Sequence, residues 1–110
     1  MTNALPHEID VEDLDRMAKE GHELKILDVR EHWEVDICSF HESVHIPMSQ
    51  IPKNLAALPA HEHLVVVCHH GVRSRHVMAW LRQMGYEMAT SLRGGIDAWA
   101  KRIDPEMATY

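Results

Sequence analysis

Leu64-Val65-Val66-Val67-Cys68-His69-His70-Gly71-Val72-Arg73-Ser74-Arg75 is the stretch whose reading decides the fold. Four consecutive apolar residues, mostly β-branched, predict a strand buried on both faces. A helical pattern follows, running from about Ser74 to Met84, with Val77, Met78, Leu81 and Met84 on one face and Gly85 as its C-terminal cap. Cys68 is therefore expected in a loop between a buried strand and a helix N-terminus. The first turn of a helix offers backbone N–H groups without intrahelical partners, and a glycine-containing loop can turn more of them toward one point. Such a cradle favours an anion. Arg73 adds a positive charge that can fork onto an oxyanion, so the constellation describes a nucleophilic sulfur facing an anionic substrate. The competing reading, a cysteine that only fills space in the core, leaves the glycine and the two arginines without a purpose.

The loop Cys68-His69-His70-Gly71-Val72-Arg73-Ser74 resembles the active-site loop of rhodanese domains, the single-domain sulfurtransferases in which a cysteine carries a persulfide. Leu27-Asp28-Val29-Arg30-Glu31 with Trp33-Glu34 resembles the first signature of that family, and Leu92-Arg93-Gly94-Gly95-Ile96-Asp97-Ala98-Trp99 its closing one. The resemblance implies an α/β domain with a central, mainly parallel five-stranded sheet and helices on both faces. It implies Cys68 as the catalytic residue, with His69, His70, Gly71, Val72 and Arg73 forming the substrate-binding loop. Asp28, Arg30, Ser74 and Arg75 are supporting residues. For Asp28 and Arg30, which an extended backbone projects to the same side, it implies a structural ion pair that clamps neighbouring loops. His69 and His70 are expected to act at the mouth in specificity, since persulfide transfer has little need of a general base. His76 is read as solvated helix surface.

Composition sets the limits. A length of 110 residues suits one domain over 1–110, with loose ends at 1–6 and 104–110. The net charge of −6 argues against a nucleic-acid partner, and no apolar run approaches the roughly 20 residues that cross a bilayer. Without a secretion signal or a disulfide framework, the expected compartment is the cytoplasm. Ten histidines stand out, but none is spaced with cysteines as zinc ligands are, so they are read as mostly solvated surface; no metal and no cofactor are expected.

The remaining elements alternate. Residues 7–9 predict a short edge strand, and Asp10 caps a helix through Val11, Leu14, Met17 and Ala18 that Gly21 stops. Lys25–Val29 is a central strand, Glu31 to Asp36 a helical turn with Trp33 as a packing anchor, and Val44–Pro47 a short strand. Ile51, Leu55 and Leu58 predict a covering helix over 48–58, Met88–Leu92 a last strand, and Ile96, Trp99 and Ala100 the inward face of a final short helix. Cys38-Ser39-Phe40-His41-Glu42-Ser43 departs from the Gly-His-Ile-Pro-Gly-Ala type of stretch usual in the family. Cys38 can be read as a thiol that resolves oxidised Cys68 or as a small buried residue; the second reading is preferred.

The expected chemistry is transfer of a sulfane sulfur from thiosulfate or a similar small anionic donor, through a Cys68 persulfide, to cyanide or a thiol acceptor. A protein sulfur donor or acceptor is compatible with it. The alternatives are a persulfide-carrier or regulatory rhodanese-like module and a cysteine phosphatase or arsenate reductase. The loops of the last group carry one more residue between Cys and Arg than this chain does.

Overall fold

The computed structural model describes residues 5–110. Residues 1–4 of the expected loose start lie outside the described residues, while the Leu5 and Pro6 carbonyls accept hydrogen bonds from Arg82. The elements run β1 (Glu8–Ile9), α1 (Val11–Lys19), β2 (Lys25–Asp28), α2 (His32–Ile37), β3 (Val44–His45), β4 (Leu64–Val67), α3 (Val72–Gln83), β5 (Ala89–Leu92) and α4 (Gly95–Arg102). The strands form one sheet in the order β1-β5-β4-β2-β3, and every pairing is parallel.

The sheet grows outward from β4. Its four residues are at most 1% exposed, as an apolar run at the centre of a covered parallel sheet should be. Burying each such side chain fully stabilises the fold by about 1.5–3 kcal/mol. Alternation along the strand sends Leu64 and Val66 into one core with Val77, Met78 and Leu81 of α3. Val65 and Val67 enter the other, with Val11 and Leu14 of α1 and Ile96 of α4. Cys68 continues the row of Leu64 and Val66, which directs its sulfur to the α3 side.

Three local expectations need correcting. Residues 48–58 do not form one covering helix but two 3₁₀ segments, Met48–Gln50 and Pro52–Ala57, because Pro52 has no N–H to give to a helical ladder. Helix α3 starts at Val72, earlier than expected, since Gly71 takes a left-handed conformation (φ 103°) and turns the chain straight into it. Met84 and Trp33 do not anchor the core: they are 49% and 60% exposed.

Candidate active site

The Cys68 sulfur lies at the carboxyl end of the central strand, where parallel sheets place their ligand crevices, and the residue is 1% exposed. Two backbone donors of the following turn converge on it. The Gly71 N–H donates to Sγ at 3.1 Å and the Ser74 N–H at 3.3 Å. The thiol can donate in turn to Ser74 Oγ at 3.4 Å, and Ser74 Oγ is held by Ser91 Oγ of β5 at 2.7 Å. Both serines are fully buried. The N-terminus of α3 therefore points at the sulfur, as the strand-loop-helix reading requires.

The loop keeps its shape because two glycines let backbone approach backbone. A Cβ at Gly71, besides the strain of φ 103°, would stand 3.1 Å from the Gly94 nitrogen. At Gly95 it would fall 2.5 Å from the Cys68 carbonyl oxygen and closer still to that of His69. With no Cβ there, the Ile96 N–H reaches the Cys68 carbonyl at 2.9 Å and the Asp97 N–H reaches the His69 carbonyl at 3.1 Å. The first turn of α4 thus spends its free donors on the cysteine loop.

Asp28 and Arg30 form the clamp that the sequence suggested. Both are fully buried and paired at 2.7 Å, and Arg30 also donates to the carbonyls of Glu34 (3.2 Å) and Cys38 (2.7 Å) and to the Tyr110 hydroxyl (3.1 Å). Arg30 is held to its charged form: burial opposes the charge, but the bonds it donates to Asp28 and Tyr110 outweigh it. Cys38 sits inside this clamp with its sulfur 3.9 Å from Arg30 Nη1. Both cysteines are free thiols.

Arg73 is placed differently from the expectation of a cation open to the substrate. Its two terminal nitrogens donate to the two oxygens of Glu34, each at 2.7 Å. Glu34 is 3% exposed and saturated: Oε2 also accepts from the Glu31 N–H at 2.8 Å, and Oε1 from the Tyr110 hydroxyl at 2.8 Å. Hydrogen bonds from Arg73, against the effect of burial, hold its pKa down to about 2.

His69 and His70, next after Cys68, form an aromatic stack with Tyr110: the Tyr110 ring lies flat on His69 at 3.8 Å, and the His69 and His70 rings are 3.8 Å apart, tilted by 30°. Burial, with His70 alongside, lowers the pKa of His69. His69, His70 and Asp97 bring potential metal-ligand atoms within 4.8 Å of one another. Lys101, however, already holds the Asp97 carboxylate at 3.0 Å. Val72, Arg75 and His76 are exposed. His63, one of the histidines read as surface, is buried, bonds Thr90 Oγ1 at 2.9 Å and has its pKa lowered by burial.

The structure adds three participants. Glu34 belongs to the quoted first signature, but no role follows from it until α2 and the loop are seen side by side. Ser91 is an ordinary strand serine in the sequence. Tyr110 lies in the tail expected to be loose, yet that tail is docked, with Met107 and Tyr110 packed beside the core. The atypical 38–43 stretch sends Phe40 inward, 8% exposed and 5.1 Å from the Trp99 ring. An open groove there, lined by Leu14, Ile26, Phe40, His41, Trp99 and Met107, lies apart from the cysteine loop.

A wholly parallel α/β sheet presents a cysteine in a glycine turn, with the next helix aimed at its sulfur. Comparison with known proteins agrees: residues 10–102 match the rhodanese-like domain, and the chain belongs to that family. It is 32% identical over 102 residues to a protein named sulfurtransferase from Allochromatium vinosum, covering 93% of this chain and 95% of that one. It is 39% identical over 92 residues to the probable adenylyltransferase/sulfurtransferase MoeZ of Mycobacterium tuberculosis, covering 82% of this chain but only 24% of MoeZ. A rhodanese-related protein from Thermoplasma volcanium superimposes with a TM-score of 0.81 at 30% identity, over 89% of this chain and 94% of that one. No helix among the described residues is long and apolar enough to cross a membrane.

Proposed function

We propose that the protein is a sulfurtransferase that carries a sulfane sulfur as a Cys68 persulfide. The carrying observation is the convergence of the Gly71 and Ser74 N–H groups on a buried sulfur at 3.1 and 3.3 Å. Those donors suit an anionic sulfur and act whatever the side chains around them. In the first half-reaction the Cys68 thiolate attacks the outer sulfur of thiosulfate or another sulfane donor. An S–S bond forms to Cys68, the donor's S–S bond breaks, and sulfite or a thiolate departs with the electron pair. In the second, cyanide or a thiol attacks the outer persulfide sulfur and the Cys68 thiolate returns. No metal or cofactor takes part in this reading. His69 and His70 act at the mouth, where a small molecule or a partner protein presents its sulfur.

The test is intact mass after exposure to a sulfane donor. Wild type should gain one sulfur, about 32 Da, and lose it to cyanide, whereas Cys68→Ser should gain nothing and keep its fold. An equal gain by the variant would place the chemistry elsewhere.

A further inference from the structure

The charge around the sulfur has a consequence for the donor. Thiosulfate brings two negative charges to an anionic Cys68, so three negative charges must meet before sulfur moves. The side-chain cation nearest the loop is Arg73, and Glu34 answers its charge through two bonds of 2.7 Å. Glu34 cannot swing aside cheaply, because the Glu31 N–H and the Tyr110 hydroxyl occupy its remaining acceptor sites. Most other charges near the loop are matched. Lys101 lies 3.0 Å from Asp97, which also faces His70 at 3.8 Å. Arg30 is sealed in with Asp28. Arg75, exposed and three positions after Val72 on α3, stays outside the Arg73–Glu34 pair and is the same in wild type and in a Glu34 variant. The chain as a whole carries −6. Beside the glycine turn Val72 offers an apolar surface, 55% exposed.

We infer that Glu34 is a specificity-determining residue which cancels the charge of Arg73 and so favours an organic persulfide, R–S–SH, over dianionic thiosulfate as the sulfur donor. This rests on the persulfide reading of Cys68. The Cys68 thiolate attacks the outer sulfur of R–S–SH, a new S–S bond forms to Cys68, the donor's S–S bond breaks, and R–S⁻ leaves with the electron pair. The proton stays on the transferred sulfur, giving Cys68–S–SH. One charge is present before and after, and no oxidant or reductant is needed. The R group can lie against the exposed Val72 side chain, where thiosulfate would place a sulfonate.

The experiment measures kcat/KM with two donors, thiosulfate and the persulfide of N-acetylcysteine methyl ester, whose backbone is uncharged. Glu34→Gln keeps the shape and the Tyr110 contact but frees the charge of Arg73. The ratio of thiosulfate to persulfide kcat/KM should rise about tenfold, through thiosulfate, and the thiosulfate value should become salt-sensitive. Adding Arg73→Gln to that variant should abolish the gain. A ratio that stays put or falls in Glu34→Gln overturns the inference, as does a gain that survives loss of Arg73. Should Glu34→Gln not fold, wild type decides: its thiosulfate kcat/KM should be flat or rise with ionic strength, and a steep fall would mean an open cation. If neither donor loads Cys68, the sulfurtransferase reading itself fails; loading without the shift sinks only the role given to Glu34.

Discussion

Two arginine–carboxylate pairs stand within reach of one tyrosine hydroxyl, and they differ in almost every other respect. Asp28 and Arg30 are two residues apart, fully buried, and closed on themselves by the carbonyls of Glu34 and Cys38. Glu34 and Arg73 are 39 residues apart, and the Arg73 side chain keeps 31% exposure at the mouth. The Tyr110 hydroxyl joins them, accepting from Arg30 and donating to Glu34. The first pair fixes where the β2 and α2 segments lie. The second ties α2 to the helical end of the cysteine loop, and under the proposed specificity role it also sets the charge a donor meets. On that proposal the same two functional groups serve stability when desolvated and selectivity when half open.

The contrast can be broken most forcefully at the inner pair. Arg30→Met leaves Asp28 buried without its partner and should cost about 3–5 kcal/mol in urea unfolding, more than Asp28→Leu/Arg30→Met together. A smaller loss for the single variant than for the double would mean that the clamp is not electrostatic. Acid should reach the outer pair next. The Glu34 pKa is depressed from 4.5 to about 2, so its contribution is complete above pH 4.5 and is lost as pH falls toward 2. Urea midpoints taken across that window should decline in wild type and decline less steeply in Glu34→Gln. Tyr110→Phe uncouples the pairs without removing the ring from His69, and should lower stability by about 1 kcal/mol, read from the same titrations. Cys38→Ser, which changes a 3.9 Å sulfur contact with Arg30 and keeps the carbonyl that Arg30 bonds, should leave sulfur turnover nearly unchanged. A dead variant would instead make Cys38 a partner of Cys68.

What could be read from the sequence divides along the same line. The Asp28–Arg30 clamp is local, and two-residue spacing in an extended backbone already puts both side chains on one side. The strand of Leu64–Val67 is local too, and its apolar run shows it, whereas the left-handed turn at Gly71 that starts α3 at Val72 does not follow from the helical spacing. Pairing of Glu34 with Arg73 depends on α2 and α3 becoming neighbours, which no window of sequence contains. Tyr110 is harder still: a tail without periodicity gives no sign that its ring will stack on His69. Trp33 misled for the opposite reason, since a large apolar side chain normally packs inward, and here it stands edge-on to Tyr110 at 5.7 Å and mostly in solvent. Pro52 was visible, and its missing N–H outweighs the spacing of Ile51, Leu55 and Leu58.

The anchoring of the cysteine loop by Ile96 and Asp97 has a bearing on the order of events during synthesis. A ribosome adds Cys68 well before it adds the residues whose N–H groups hold the Cys68 and His69 carbonyls. Until α4 has emerged and docked, the thiol lacks a loop held in shape, so the reactive centre is among the last parts of the domain to be assembled. Nascent chains halted at successive lengths and probed with a thiol reagent should show Cys68 changing from ordinary to native reactivity only once α4 has cleared the exit tunnel.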